Sequence, residues 1–179
     1  LRIDMENSLF TDQTIEIYHH CKTIYNNVGV VIQSYLHRSI DDILFLANDQ
    51  FNSRICKGIY KESEYIAYQN REEIQDNFLT LAKTMATRNA YSAFATHDQE
   101  LIDRLLDWII TDKVPKDLFE FQVLYGVPMN GRLEALLGAG YKVRVYVPYG
   151  PDWFDYSVRR LTENPKIISY VLKNFFRKR

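Results

Sequence analysis

Features that would place a protein quickly are scarce in this 179-residue chain. There are two cysteines, Cys21 and Cys56, far apart and outside any metal-ligand spacing. They read as free thiols of a reducing compartment. No apolar run approaches the roughly 18 residues that a membrane span requires. Neither sign of charge predominates: 22 Lys and Arg against 23 Asp and Glu leave a net charge of −1. No overall positive field therefore points to nucleic acid. No signal peptide is recognisable, and the chain opens on Leu1-Arg2-Ile3-Asp4, already strand-like. There is no Gly-x-Ser-x-Gly, no P-loop and no His-Glu-x-x-His. Gly138-Ala-Gly140 precedes a strand-like run, whereas a dinucleotide fingerprint follows one, so it reads as a helix cap and turn. The expectation is a cytoplasmic, metal-free protein, with at most peripheral contact at the inner face of a membrane.

What is abundant is apolar and aromatic. The apolar fraction is 46%, normal for a globular core, and 13 tyrosines and 10 phenylalanines suit ring-lined pockets as well as packing. Strand-like runs lie at Leu1–Met5, Gly29–Tyr35, Ser53–Gly58, Tyr91–Thr96, Phe119–Leu124 and Val143–Val147. Helical periodicity fills the intervals: Thr11–Tyr25, Ser39 to Asn48, Glu73–Thr87, Gln99–Asp112 and Asn130–Gly138. Strands alternating with helices predict a parallel α/β sheet. Asp4, Gln33, Arg54 with Lys57, Thr96 with His97, and Tyr146 all fall near the C-terminal halves of strands. Polar groups from most strands favour a (βα)₈ TIM-like barrel, whose active site is built at that end, over an open sheet with one crevice. Six strands are present and a barrel needs eight. Residues 1–179 are therefore expected to be the C-terminal major part of one barrel, with the N-terminal strands absent.

Each candidate residue has a plainer alternative. Asp4 on an apolar strand is costly to bury unpaired, and Arg54 and Lys57 are its natural partners, for catalysis or for a structural ion pair. Arg54 and Lys57, three apart, face opposite sides of an extended strand. Only one enters the barrel; the other lies past the strand end, where Gly58 lets the chain turn and a phosphate approach. Thr96-His97-Asp98 suits phosphate binding or carbonyl polarisation, though a lone histidine is commonly structural. Tyr60 and Tyr146 are pocket walls or packing. Tyr156-Ser-Val-Arg159-Arg160-Leu-Thr-Glu163, read as a helix, sets Tyr156, both arginines and Glu163 on one side. Two adjacent guanidiniums grip a carboxylate; the alternative is a solvated basic pair. The tail Asn174-Phe-Phe-Arg-Lys-Arg179 is either a membrane-surface contact or a frayed end.

Seven segments, taken together, resemble the flavin-binding barrel of proline dehydrogenase. They are Arg2-Ile-Asp-Met-Glu, Val31-Ile-Gln-Ser-Tyr-Leu, Arg54-Ile-Cys-Lys-Gly-Ile-Tyr-Lys-Glu-Ser, Phe94-Ala-Thr-His-Asp, Phe119-Glu-Phe-Gln-Val-Leu-Tyr-Gly, Arg144-Val-Tyr-Val-Pro-Tyr-Gly and Val158-Arg-Arg-Leu. Each is weak alone; seven in the family's order and spacing are specific. The resemblance implies the monofunctional, bacterial-type enzyme. Its activity is FAD-dependent oxidation of L-proline to Δ1-pyrroline-5-carboxylate, the first step of proline catabolism, with electrons passed to a membrane quinone.

By the same resemblance, Arg159 and Arg160 match the pair that binds the proline carboxylate, and Tyr146, Tyr156, Leu124 and Tyr60 match the walls around the proline ring. Asp4 matches the active-site aspartate and Arg54 the arginine beside flavin N5. Met5, Gln33, Lys57, Gly58, Thr96 and His97 match positions along the cofactor, and Glu163 a cofactor contact or an arginine orienter. The family's lysine from an earlier strand lies on no segment of this sequence. Asp98 and Lys61 replace an asparagine and a tryptophan found in some members, which leaves the adenine end open. The remaining alternatives are a hydroxyproline dehydrogenase on the same fold, a catalytically dead barrel serving as a binding module and, more distantly, a metal-dependent barrel hydrolase. Tyr146 stands against the first, because its ring crowds a ring hydroxyl. The retained Asp4, Arg54 and paired arginines stand against the second.

Overall fold

A β-branched run forms the strand at Gly29–Gln33, aromatic-rich runs form those at Tyr91–Ala95 and Phe119–Leu124, and helices connect the strands. The computed structural model describes residues 1–147 and 149–151. In chain order the elements are β1 (Arg2–Ile3), a 3₁₀ turn (Ser8–Phe10), α1 (Thr11–Ile24), β2 (Gly29–Gln33), α2 (Ser39–Leu46) and β3 (Asn52–Cys56). There follow α3 (Arg71–Thr87), β4 (Tyr91–Ala95), α4 (Gln99–Thr111), β5 (Phe119–Leu124), α5 (Arg132–Gly138) and β6 (Val143–Tyr146). The strands lie in one sheet in the order β1-β2-β3-β4-β5-β6. That is the sequential order of a (βα) barrel, in which each strand pairs with the next. The chain divides into two compact units, Leu1–Phe121 and Gln122–Arg179.

In the first unit β1 to β4 pair in parallel, with Ile3 opposite Val30, Gln33 opposite Cys56, and Arg54 between Val31 and Ala93. Every residue of β2 is buried, as a continuous Gly-Val-Val-Ile-Gln run in a two-sided parallel sheet requires. β3 alternates, with Ser53 and Ile55 buried and Asn52, Arg54 and Cys56 half-buried. The core gathers Val30, Ile32, Ile55, Ala93 and Phe94 from the strands and Ile43, Phe78, Leu81, Met85, Leu101 and Leu105 from the helices. Phe94 stacks on Phe119 at 5.6 Å and meets Phe121 edge-on at 5.7 Å. Such ring pairs add about 0.5–1.5 kcal/mol each to simple burial.

Three expectations need correction. The first strand does not run buried to Met5: β1 is two half-buried residues, and Asp4 leaves the ladder with its side chain 71% exposed. The chain turns there towards Asn7, whose side chain accepts from the Leu9 N–H and caps the 3₁₀ turn. α3 starts two residues before Glu73, because Asn70 caps it through the Glu72 N–H at 2.8 Å. In the second unit α5 starts two residues after Asn130, since Asn130 and Gly131 both hold positive φ. Within that unit the Tyr125 N–H donates to the Tyr146 carbonyl at 2.8 Å, and Met129 and Leu136 are buried.

Candidate functional site

Most of the described candidates of the first unit stand at or just past the ends of strands. Asp4 and Met5 follow β1, Gln33 closes β2, Lys57, Gly58 and Tyr60 follow β3, and Thr96 and His97 follow β4. Arg54 lies within β3, on its half-buried side. Leu124 and Tyr146 close β5 and β6 in the second unit. Tyr156, Arg159, Arg160 and Glu163 lie outside the described residues, as does the Asn174–Arg179 tail.

Arg54 in β3 and Lys57 just past its end diverge, and each finds its own carboxylate. Arg54 Nη1 donates to Asp4 Oδ1 at 2.7 Å, joining β3 to the end of β1 past the intervening β2. Lys57, placed alongside Arg54 as a partner for Asp4 from sequence, instead turns to Asp98 beyond β4. Lys57 lies past the strand end, so its direction is set by the loop rather than the strand pleat.

Asp98 is a hub. Its carboxylate takes Lys57 Nζ, Arg71 Nη2 at 2.8 Å and Gln75 Nε2 at 2.8 Å. Its Oδ1 caps α4 through the Leu101 N–H, and its own N–H donates to Thr96 Oγ1 at 3.1 Å. The side chain is 10% exposed. Burial alone pushes its carboxyl up, but the bonds from Arg71, Lys57 and Gln75 and the charge of Lys57 outweigh that and hold it well below the usual carboxylate range. Arg71 and Gln75 are four apart on α3, which puts both on one face. That spacing lets both reach one carboxylate, but the sequence does not say which.

The end of β2 lies between the two strands that the Asp4–Arg54 pair joins. Gln33 is 3% exposed; its Nε2 donates to the Met5 carbonyl at 3.4 Å, and its Oε1 is buried without a partner. The Tyr35 hydroxyl is likewise buried and unpartnered. Burial first, then the charge of Glu62, pushes this phenol well above its usual range, so at neutral pH it remains a donor. Buried polar atoms are nearly always satisfied, so an orphan acceptor at the end of a barrel strand points to a missing ligand or water.

Gly58 explains how the Lys57 loop fits. It holds φ +104°, and a Cβ there would lie 2.3 Å from Tyr35 Cδ1. The space reserved by this glycine, expected from sequence to admit a phosphate, is taken up by the Tyr35 ring. Among the described residues, no three His, Cys, Asp or Glu side chains gather as a metal site.

Known proteins resemble this chain in sequence and fold. The family model described as proline dehydrogenase matches residues 1–172. Proline dehydrogenase 1 of Bacillus subtilis (strain 168) is 39% identical over 176 residues, which are 98% of this chain and 58% of that protein. Proline dehydrogenase of Deinococcus radiodurans is 34% identical over 177 residues, covering 98% of this chain and 57% of that protein. The chain thus spans under three-fifths of the length of these relatives. A crystal structure of proline utilization A (PutA) from Bdellovibrio bacteriovorus, inactivated by N-propargylglycine, superposes with a TM-score of 0.79 at 27% identity. The match covers 91% of this chain and 20% of that one. With its strand order, its polar strand ends and this match over nearly the whole length, the chain belongs to the proline dehydrogenase family.

Proposed function

We propose that the protein oxidises L-proline to Δ1-pyrroline-5-carboxylate with FAD and passes the electrons to a membrane quinone. The observation that carries this is the buried, unpartnered Gln33 Oε1 at the end of β2, the strand that the Asp4–Arg54 pair spans. These residues fit a flavin. A buried amide oxygen lacking a donor suits the N–H edge of an isoalloxazine ring. Lys57 carries three N–H donors, and its bond to Asp98 leaves others for a ligand. Met5, Gln33, Arg54, Lys57, Thr96 and His97 would hold the cofactor, and Glu163 would contact it or orient the arginines. When bound, it supplies the two-electron acceptor that no side chain provides.

The chain's own residues position and hold charge. Arg159 and Arg160 clamp the substrate carboxylate, which fixes the ring in a reactive orientation. Tyr60, Leu124, Tyr146 and Tyr156 wall the ring and exclude water. The substrate amine must be uncharged to react, and the exposed Asp4 carboxylate is reachable from solvent to take that proton. Arg54 holds Asp4 in place and puts positive charge where negative charge accumulates. Among the described residues no helix is long and apolar enough to cross a membrane. A surface contact would serve delivery to a quinone, and the aromatic-basic tail at residues 174–179 is a candidate for it.

The test is an absorbance spectrum of the purified protein before and after L-proline is added without oxygen. Flavin absorbance that bleaches with proline establishes cofactor and substrate together. Flavin that persists with proline and bleaches with hydroxyproline reassigns the substrate, and a folded but colourless protein favours a binding module.

A further inference from the structure

The middle of the loop after β3 is held by the loop after β1, and one of the contacts falls on the candidate pocket. The ends of the β3 loop are fixed by the chain following β2. The Tyr35 N–H donates to the Lys57 carbonyl at 2.9 Å, and the Tyr68 N–H donates to the Tyr35 carbonyl at 2.8 Å. Between them, residues 60–62 meet residues 6–8. The Tyr60 hydroxyl donates to the Glu6 carboxylate. Two residues on, both Glu62 oxygens are engaged by Ser8, from its N–H at 2.7 Å and its Oγ at 2.9 Å.

The two contacts step by two residues on each side, Glu6 to Tyr60 and Ser8 to Glu62, so one register fixes both. The Asp4–Arg54 pair continues the same alternation on the β1 side. Ser8 can present its N–H because Asn7 caps the 3₁₀ turn it opens. The loop after β1 therefore acts as a splint laid across the end of β2, and Glu6 is the member that reaches a pocket residue.

We propose that Glu6 is a positioning residue for the substrate, acting through the Tyr60 hydroxyl. The proposal rests on the assignment of Tyr60 to the proline pocket. A tyrosine ring rotates about two side-chain bonds, and a charge-assisted bond from its hydroxyl removes most of that freedom. Ser8 and Glu62 hold the backbone beneath it, so Glu6 sets the ring rather than the loop. Loss of Glu6 leaves the loop docked and the pocket wall loose. Affinity for proline then suffers more than the reaction of bound proline.

The experiment is a double-mutant cycle on the FAD-loaded protein with Glu6→Ala, Tyr60→Phe and the pair. Flavin content, melting temperature and anaerobic flavin reduction against proline concentration are measured for each. Each single variant is expected to raise KM about five- to tenfold, with a smaller change in the reduction rate at saturating proline. The pair should cost no more than either single change, since both remove the same bond. Glu6→Gln, whose carbonyl still accepts from the phenol, should recover most of the loss.

An unchanged KM in both single variants, or additive losses in the pair, would overturn the role of Glu6. So would losses of melting temperature or flavin content that account for the change in KM. Tyr60→Phe removes a single oxygen and keeps the test open should Glu6→Ala fold poorly. If the unsubstituted protein carries flavin that proline does not reduce, the proposed substrate is wrong and this role falls with it. A reducible flavin with a silent cycle refutes Glu6 alone.

Discussion

The two ion pairs that leave β3 use the same chemistry in opposite settings. On one side Arg54 meets Asp4, whose side chain is 71% exposed. On the other Lys57 meets Asp98, which is 10% exposed and also takes Arg71, Gln75 and the first turn of α4. An exposed pair adds little to stability, because water and salt already satisfy both partners. A carboxylate drawn out of water and tied to three side chains is different: removing it strands a partly buried cation and uncaps a helix. The Asp98 side is built to hold shape, while the Asp4 carboxylate stays largely in water with Arg54 as its partner.

The comparison breaks most readily at Asp98. Asp98→Ala is expected to lower unfolding free energy by about 3 kcal/mol, from an uncompensated Lys57 and a lost cap. Asp98→Asn keeps the cap and should lose roughly half of that. Urea denaturation of both variants measures the difference; equal and negligible losses would show that Arg71 and Gln75 carry the loop junction without the carboxylate.

Next in size is Gly58→Ala. It forces a Cβ into the left-handed region and against the Tyr35 ring, at an expected cost of about 2 kcal/mol. Because Gly58 directly follows Lys57, the same variant should lower flavin content. Pairing it with Tyr35→Ala tests the cause: the second change should relieve the contact and leave only the backbone strain.

Acid sharpens the same contrast. The Asp98 carboxyl has a folded pKa below its ordinary value of 3.8, so the folded state favours the ionised form. Its stabilisation is complete above that ordinary value and is lost as pH falls below it towards the folded pKa. Between about pH 4 and about pH 2 the unsubstituted protein should therefore lose stability more steeply than Asp98→Asn. Urea midpoints taken across that window read the slope, and parallel slopes would remove Asp98 as the acid-sensitive group.

Much of this was legible in the sequence, for reasons that differ by residue. The fully buried Gly29–Gln33 run declares a central parallel strand, and Lys57-Gly58 foretells that one of the two cations lies past its strand end. What the sequence hid was where each cation goes. Asp98 lies 41 positions from Lys57, and nothing local distinguishes it from an ordinary helix cap. Gly58 signalled a turn correctly, but the ring that occupies its space comes from a different loop. Asp4 was expected to be buried because its neighbours are apolar; a two-residue strand ending at Ile3 was not foreseeable from hydrophobicity alone.

The smallest effect on stability, and the one that best separates the two sides, is expected for Asp4→Ala. Its bond to Arg54 is largely exposed on the carboxylate side, so the change in unfolding free energy should stay within about 0.5 kcal/mol. Anaerobic flavin reduction by proline should nevertheless slow by about a hundredfold, the usual scale for losing a positioned acid–base group. Flavin content should hold, since Gln33 and the Lys57–Asp98 hub are untouched. Loss of flavin together with activity would mean that Asp4 serves the mouth as Asp98 does, through structure. A stable, yellow and slow protein would show that the two carboxylates flanking β3 have divided the work between chemistry and support.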